Sequence, residues 1–218
     1  MLIDILTSSC GRFDILERSI KTFKDNVYTN QHRFRWVLME DYVEDKKRRE
    51  AGLEWIAKHD HLFNQIIICK EKFGIGYQWQ EIVKYCITTF HFHLEDDAEF
   101  LTGINIDPLI EIMLQKRKLV EILWRRQNHV EVNPRPISVN GIDFVEVDFM
   151  SESNGLYNTA LVMKIFKESG IGTQMHEASV STPSSMRLGL RKYLLGRTGQ
   201  IQYTHVGKIL GYDKGKYK

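Results

Sequence analysis

Along the first hundred positions, short apolar runs end in small polar or acidic residues. Each run is followed by a segment whose apolar residues recur at helical spacing. LIDILTSS at 2–9 predicts a strand. In RFDILERSIKTFKDN at 12–26, Ile15, Leu16, Ile20 and Phe23 fall on one side, with Arg18, Lys21 and Lys24 facing away, which predicts an amphipathic helix. FRWVLMED at 34–41 predicts a second strand, and KKRREAGLEWIAKH at 46–59 a charged helix with Leu53, Trp55 and Ile56 inward. The unbroken apolar run in FNQIIICKE at 63–71 predicts a third strand, buried on both faces. A glycine loop, KFGIG, leads into a helix with Trp79, Ile82, Val83 and Cys86 inward.

FHFHLEDD at 90–97 predicts a fourth strand. Side-chain alternation puts Phe90, Phe92 and Leu94 on one face. It puts His91, His93, Glu95 and Asp97 on the other if the strand runs through Asp97.

The second half is less regular. Asp107-Pro108 reads as an N-cap with proline at the first helical position, opening LIEIMLQK. LVEILW and IDFVEVDFM read as strands, and Asn140-Gly141 as a hairpin turn that makes this part antiparallel. NTALVMKIFKESG predicts a helix. A second helix is expected from Thr182-Pro183 through SSMRLGLRKYLLG, and QIQYTH is a last short strand. Strands alternating with helices argue for βαβ units: an α/β chain with a mainly parallel central sheet flanked by helices. No repeat or linker interrupts 1–218, so one domain is expected, with halves at 1–100 and 101–218.

Composition adds exclusions. Net charge is +2, which gives no bulk electrostatic case for nucleic acid. The basic surplus is local, with four lysines in the closing KILGYDKGKYK. No apolar run approaches the roughly 20 residues of a bilayer span, so no transmembrane segment is expected. Cys10, Cys69 and Cys86 form no CxxC pair and read as reduced thiols, in line with a cytoplasmic protein.

The strand ends carry the chemistry. Open α/β sheets bind ligands at the carboxyl ends of their strands. Glu95 and Asp97, two apart at such an end, can reach one hard cation together. Carboxylate oxygens suit Mn2+ or Mg2+, which in turn suit a diphosphate. The competing readings are a solvated strand end and a zinc site through His91-x-His93. Mid-strand histidines under covering helices fit a core or supporting role better than zinc. Thr7-Ser8-Ser9 with Gly11-Arg12 offers hydroxyls, backbone N–H groups and a guanidinium to a nucleoside diphosphate. Glu40-Asp41 can accept from a base imide or a ribose hydroxyl.

The order of these parts resembles the GT-A glycosyltransferases, specifically the small inverting family-2-like nucleotide-sugar transferases. The residues concerned are ILTSSCGR, WVLMED, GIGYQWQEIV, LEDDAEF in the place of a DxD motif, FMSESNGLYNTALVMKI, MHEAS and YTHVGK. The resemblance covers nearly the whole chain in order, through short motifs, and Glu95 stands where a strict DxD has aspartate.

It implies a GT-A (Rossmann-like) fold with a smaller, partly antiparallel acceptor-side region. The activity implied moves a sugar from a nucleoside-diphosphate donor to a hydroxyl of a glycan, lipid-linked or other acceptor, with inversion. Asp97 with Glu95, and His205 as ligand or phosphate contact, would hold Mn2+ or Mg2+. Glu177 would be the general base, with Asp148 and Glu152 in reserve. Thr7, Ser8, Arg12, Asp41 and Asp96 would meet the nucleotide, with Gly76 and Gln80 beside the diphosphate or donor sugar. Whether Glu95 or Asp96 partners Asp97 stays open. The terminal lysines would close over the diphosphate or form a solvated tail. A sugar-phosphate nucleotidyltransferase and a non-catalytic nucleotide-sugar or glycan-binding module are the rival functions.

Overall fold

The computed structural model describes residues 1–72, 74–125, 134–148, 153–169, 177–197 and 200–205, the side chains of residues 75, 76 and 177–181 excepted. The opening units are β1 (Leu2–Ser9), α1 (Phe13–Asn26), β2 (Val27–Tyr28), β3 (Arg33–Glu40), α2 (Lys46–His59), β4 (Gln65–Ile68), α3 (Ile75–Val83) and β5 (Phe90–Glu95). Then come β6 (Ala98–Phe100), β7 (Ile104–Asn105), α4 (Asp107–Gln115), β8 (Leu119–Leu123), β9 (Arg135–Val139) and β10 (Ile142–Val147). The last are β11 (Gly155–Asn158), α5 (Thr159–Ser169), α6 (Glu177–Arg187), β12 (Arg191–Leu195) and β13 (Tyr203–His205).

Nine strands form one sheet in the order β4-β3-β1-β5-β11-β8-β12-β10-β9. All run the same way except β10 and β11. The apolar alternation read from the sequence sorts side chains to its two faces. Ile3, Ile5, Trp36, Leu38, Phe92 and Ile122 pack under α1, α2 and α4. Leu6, Val37, Met39, Leu123, Tyr157 and Leu194 pack under α3 and α5. Asn140 (φ 53°) and Gly141 (φ 79°) turn the β9–β10 hairpin with both central residues left-handed, as such a turn requires. Among the described residues, no helix is long and apolar enough to cross a membrane.

Five local expectations are corrected. β4 is the sheet's edge strand and only partly buried, with Ile68 51% exposed, because no further strand among the described residues covers that side. Asp107 lies inside α4 with Ile106 as N-cap. Its carboxylate accepts instead from Thr29 Oγ1 and the Asn30 N–H (2.9 Å), fastening the loop after β2. Pro183 sits inside α6 rather than opening a helix. Residues 191–195, expected as helix, form β12: left-handed Gly189 (φ 62°) ends the helical run, and Tyr193 and Leu194 then face opposite cores. β5 stops at Glu95, so Asp96 and Asp97 form a turn instead of continuing the alternation.

Candidate active site

β5 ends where its antiparallel neighbour begins. Gly155, the first residue of β11, stands opposite His93, so the ladder to β11 begins two residues before the end of β5. The Glu95 N–H donates to Asn154 Oδ1 (2.9 Å). The chain turns through Asp96 and Asp97 into β6, whose antiparallel partner is β13, with His205 directly opposite Ala98. A residue 108 positions away is thereby set beside the acidic turn.

The three acids have different partners. Asp96 is buried, and both its oxygens accept from Arg12, one from Nε at 3.1 Å and the other from Nη2. Ser19 Oγ donates to the Asp96 carbonyl (2.8 Å). Burial pushes the Asp96 carboxyl up to about 6, while Arg12 pulls the other way. Arg12 Nη1 also reaches Asp97 Oδ2 (3.4 Å). Arg12 opens α1 as its N-cap, but its guanidinium faces these acids, holding the turn against the helix. Asp97 Oδ1 pairs with His205 Nδ1 (3.0 Å). Burial would raise the Asp97 carboxyl, but His205 and Arg12 outweigh it and hold it below the usual carboxylate value. Glu95 Oε2 accepts from Asn154 Nδ2 (2.6 Å) and Tyr203 OH (3.4 Å), and lies 3.6 Å from His205 Nε2.

Glu95, Asp97 and His205 each offer a ligand atom, and the three atoms lie within 4.8 Å of one another. Two carboxylate oxygens with one imidazole nitrogen form an oxygen-rich donor set of the kind Mn2+ accepts. Asp96, engaged by Arg12, stands outside that set.

The neighbouring strand ends form the wall. Thr7 is fully buried, and its Oγ1 accepts from the Trp36 indole (2.9 Å), so its side chain supports the floor rather than lining the surface. Ser8 is half-buried, its hydroxyl without a hydrogen-bond partner among the described residues. Asp41 accepts from the Tyr42 N–H (2.8 Å) and the Gly74 N–H (3.2 Å), tying β3 to the start of α3. Gly74, not Gly76, carries the left-handed backbone there (φ 77°), while Gly76 lies within the first turn of α3. Gln80 Oε1 is buried without a partner among the described residues. Gln78, which the sequence did not single out, reaches the carbonyls of Ser9 (3.2 Å) and Met39 (3.0 Å). Arg48 on α2 donates to the carbonyls of Cys10 (2.7 Å) and Gly11 (3.0 Å), holding the β1–α1 loop.

A cleft of about 300 Å³ opens between α2 and the ends of β3 and β4, with Glu40, Asp41, Tyr42, Arg49, Ile68 and Lys70 in its wall. The Arg49 guanidinium lies 5.0 Å from the Tyr42 ring centre. Burial, with Asp96 and Asp41 nearby, pushes the Glu40 carboxyl up to about 8.

His91 and His93 lie inside the sheet's α3/α5 face. His91 stacks on Tyr157 (5.3 Å between ring centres) and meets Thr159 Oγ1 through Nδ1 (3.0 Å), and His93 packs edge-on to Trp79. Burial lowers them to about 3 and about 4, leaving both neutral. They are core histidines behind the acidic turn, not part of the ligand cluster. Asp148, a reserve base, follows β10, where its carboxylate accepts from Arg135 of β9 (2.7 Å). Glu177 opens α6, but its side chain lies outside the described residues, as do Glu152 and the lysine tail. Asn154 and Tyr203 also escaped the sequence reading, because each acquires its role only through strand pairing.

No protein-family model and no curated protein matches the chain. Solved structures do, and they define the class: the chain has the GT-A fold. S. aureus TarS superposes with a TM-score of 0.60 at 13% identity, over 94% of this chain and 36% of that one. The TarS 1–349 complex with UDP-GlcNAc gives 0.59 at 15% identity, over 94% and 58%. GalNAc-T7 with UDP, GalNAc and Mn2+ gives 0.66 at 11% identity, over 89% and 42%. The chain therefore spans between about a third and three-fifths of the length of these structures.

Proposed function

We propose that the chain is a glycosyltransferase that takes a sugar from a nucleoside-diphosphate donor with the help of a divalent cation. The observation that carries this reading is the convergence of Glu95, Asp97 and His205 at the strand-end edge of a GT-A sheet. The presence of UDP-GlcNAc in one TarS structure, and of UDP with Mn2+ in GalNAc-T7, supports uridine nucleotides and Mn2+ as the first probes.

Glu95, Asp97 and His205 would hold the cation, Mn2+ or Mg2+. Once bound, it supplies positive charge against the departing diphosphate. Arg12 keeps the acidic turn in place through Asp96. Asp41 and the cleft beside it receive the nucleoside, with Ser8, Gly76 and Gln80 toward the diphosphate side. Glu177 acts as general base: it takes the acceptor hydroxyl's proton as that oxygen bonds to the anomeric carbon. The bond from that carbon to the diphosphate breaks on the opposite face, so the anomeric centre inverts.

Calorimetric titration with UDP-GlcNAc and a GDP-, CMP- and dTDP-sugar panel tests this. Binding to at least one donor should require Mn2+ or Mg2+ and vanish in Asp97→Ala. Glu177→Gln should keep donor binding and lower turnover by about 10²–10⁴-fold, the usual contribution of a general base. Failure of every nucleotide sugar to bind in any divalent cation sinks the transferase reading. An unimpaired Glu177→Gln enzyme removes only the base. Release of pyrophosphate from a nucleoside triphosphate and a sugar phosphate would identify a nucleotidyltransferase instead.

A further inference from the structure

We infer that Asn154, seconded by Tyr203, is the positioning residue that fixes the Glu95 carboxylate for the cation. This rests on the reading of Glu95, Asp97 and His205 as a divalent-cation site.

Asn154 is fully buried at the mouth of β11, and its own carbonyl accepts from the Trp124 N–H (2.9 Å). A strand-end asparagine often does no more than cap one orphan N–H, and Oδ1 does that here for Glu95 (2.9 Å). The other end of the same amide is also used: Nδ2 donates to Glu95 Oε2 at 2.6 Å. One planar amide thus grips both the backbone and the carboxylate of a single glutamate. That closed ring selects one arrangement of a side chain which otherwise explores several rotamers. Tyr203, also fully buried, aims its hydroxyl at the same oxygen (3.4 Å).

The two supports come from opposite sides. Asn154 belongs to the segment entering β11, between β5 and β8. Tyr203 belongs to β13, two residues before His205. The pairing that delivers His205 therefore also delivers a hydroxyl to Glu95. Asp97 is oriented separately, by His205 Nδ1. Glu95 stands first in EDD, where a longer and more mobile side chain replaces aspartate, and it is the member that most needs outside orientation.

The test is Mn2+ binding, followed by the electron paramagnetic resonance of the free ion, with UDP present and the nucleotide's own Mn2+ binding subtracted. Asn154→Asp keeps the shape and the Oδ1 acceptor, removes the donor, and adds negative charge. Positioning predicts Mn2+ affinity weaker by about 10–100-fold, as for other outer residues of metal sites. Charge alone would tighten binding. Tyr203→Phe should weaken it in the same direction by a smaller factor. In a Glu95→Gln background, Asn154→Asp should cause no further loss.

Melting temperatures of the metal-free variants separate folding defects from binding defects. If Asn154→Asp does not fold, Asn154→Ser, which keeps an oxygen near the Glu95 N–H, is read the same way. Unchanged or tighter Mn2+ binding in the Asn154 variant, or an equal loss in the Glu95→Gln background, overturns the inference. A wild-type chain that binds no Mn2+ overturns the metal reading itself, which is a distinct outcome.

Discussion

Burial holds His91 in its neutral form at neutral pH. Its ring is fully buried against Tyr157 and Thr159, with His93, Asp4 and Cys86 close by. Burial, aided by His93 and opposed by Asp4, lowers it from 6.5 to about 3. The folded chain therefore binds this proton less readily than the unfolded one. The associated stability is complete above about pH 6.5 and is lost as pH falls from there toward the folded value. His91→Gln, which keeps a polar group for Thr159, should flatten the fall in urea midpoint between pH 6.5 and about 4.5. A slope identical to wild type would rule out His91 as a source of that acid sensitivity. At the same scale, the strand-end acids were legible as acids, but their assignment was not. Asp96 faces Arg12 and Asp97 faces His205 because of a turn that strand periodicity does not reveal.

Among the elements, β11 matters most for the site. It is four residues long and runs against its neighbours between β5 and β8. Its first residue must be glycine. A Cβ on Gly155 would lie 2.8 Å from the Ile122 carbonyl oxygen and 2.9 Å from the Leu123 side chain. Gly155→Ala should therefore cost roughly 1–3 kcal/mol, the usual range for overpacking a close contact. Urea unfolding measures this, and an unchanged midpoint would show that the sheet gives way freely there. The long apolar and amphipathic segments were readable because burial repeats along them with a fixed period. β11, β12 and β6 were not. They are short, and what makes each a strand is a partner far away in sequence: His93 for Gly155, Leu119 for Arg191, Tyr203 for Phe100.

At the scale of the whole molecule, one sheet with a core on each face links the site to global stability. A ligand that binds only the folded chain adds RT ln(1 + [L]/Kd), about 2.7 kcal/mol at a hundredfold excess over Kd. For a chain of this size, that corresponds to a rise of roughly 5–10 °C in melting temperature. A preferred nucleotide with Mn2+ should produce this shift, and Asp97→Ala should abolish it. A nucleotide that raises the melting temperature equally in Asp97→Ala would be binding without the cation cluster.

The amino-acid sequence by itself determined the α/β alternation, the two faces of the central strands and the acidic, hydroxyl and glycine character of their ends. Each of these is a local property, set by side-chain period and backbone preference. Tertiary structure decided which of those groups meet. It engaged Arg12 with Asp96, turned Thr7 inward to Trp36, paired Asp148 with Arg135 and carried His205 across 108 positions to Asp97. It also placed Asn154 and Tyr203 on Glu95. Such meetings depend on sheet order and register, which arise from pairing between distant strands and leave no period along the chain.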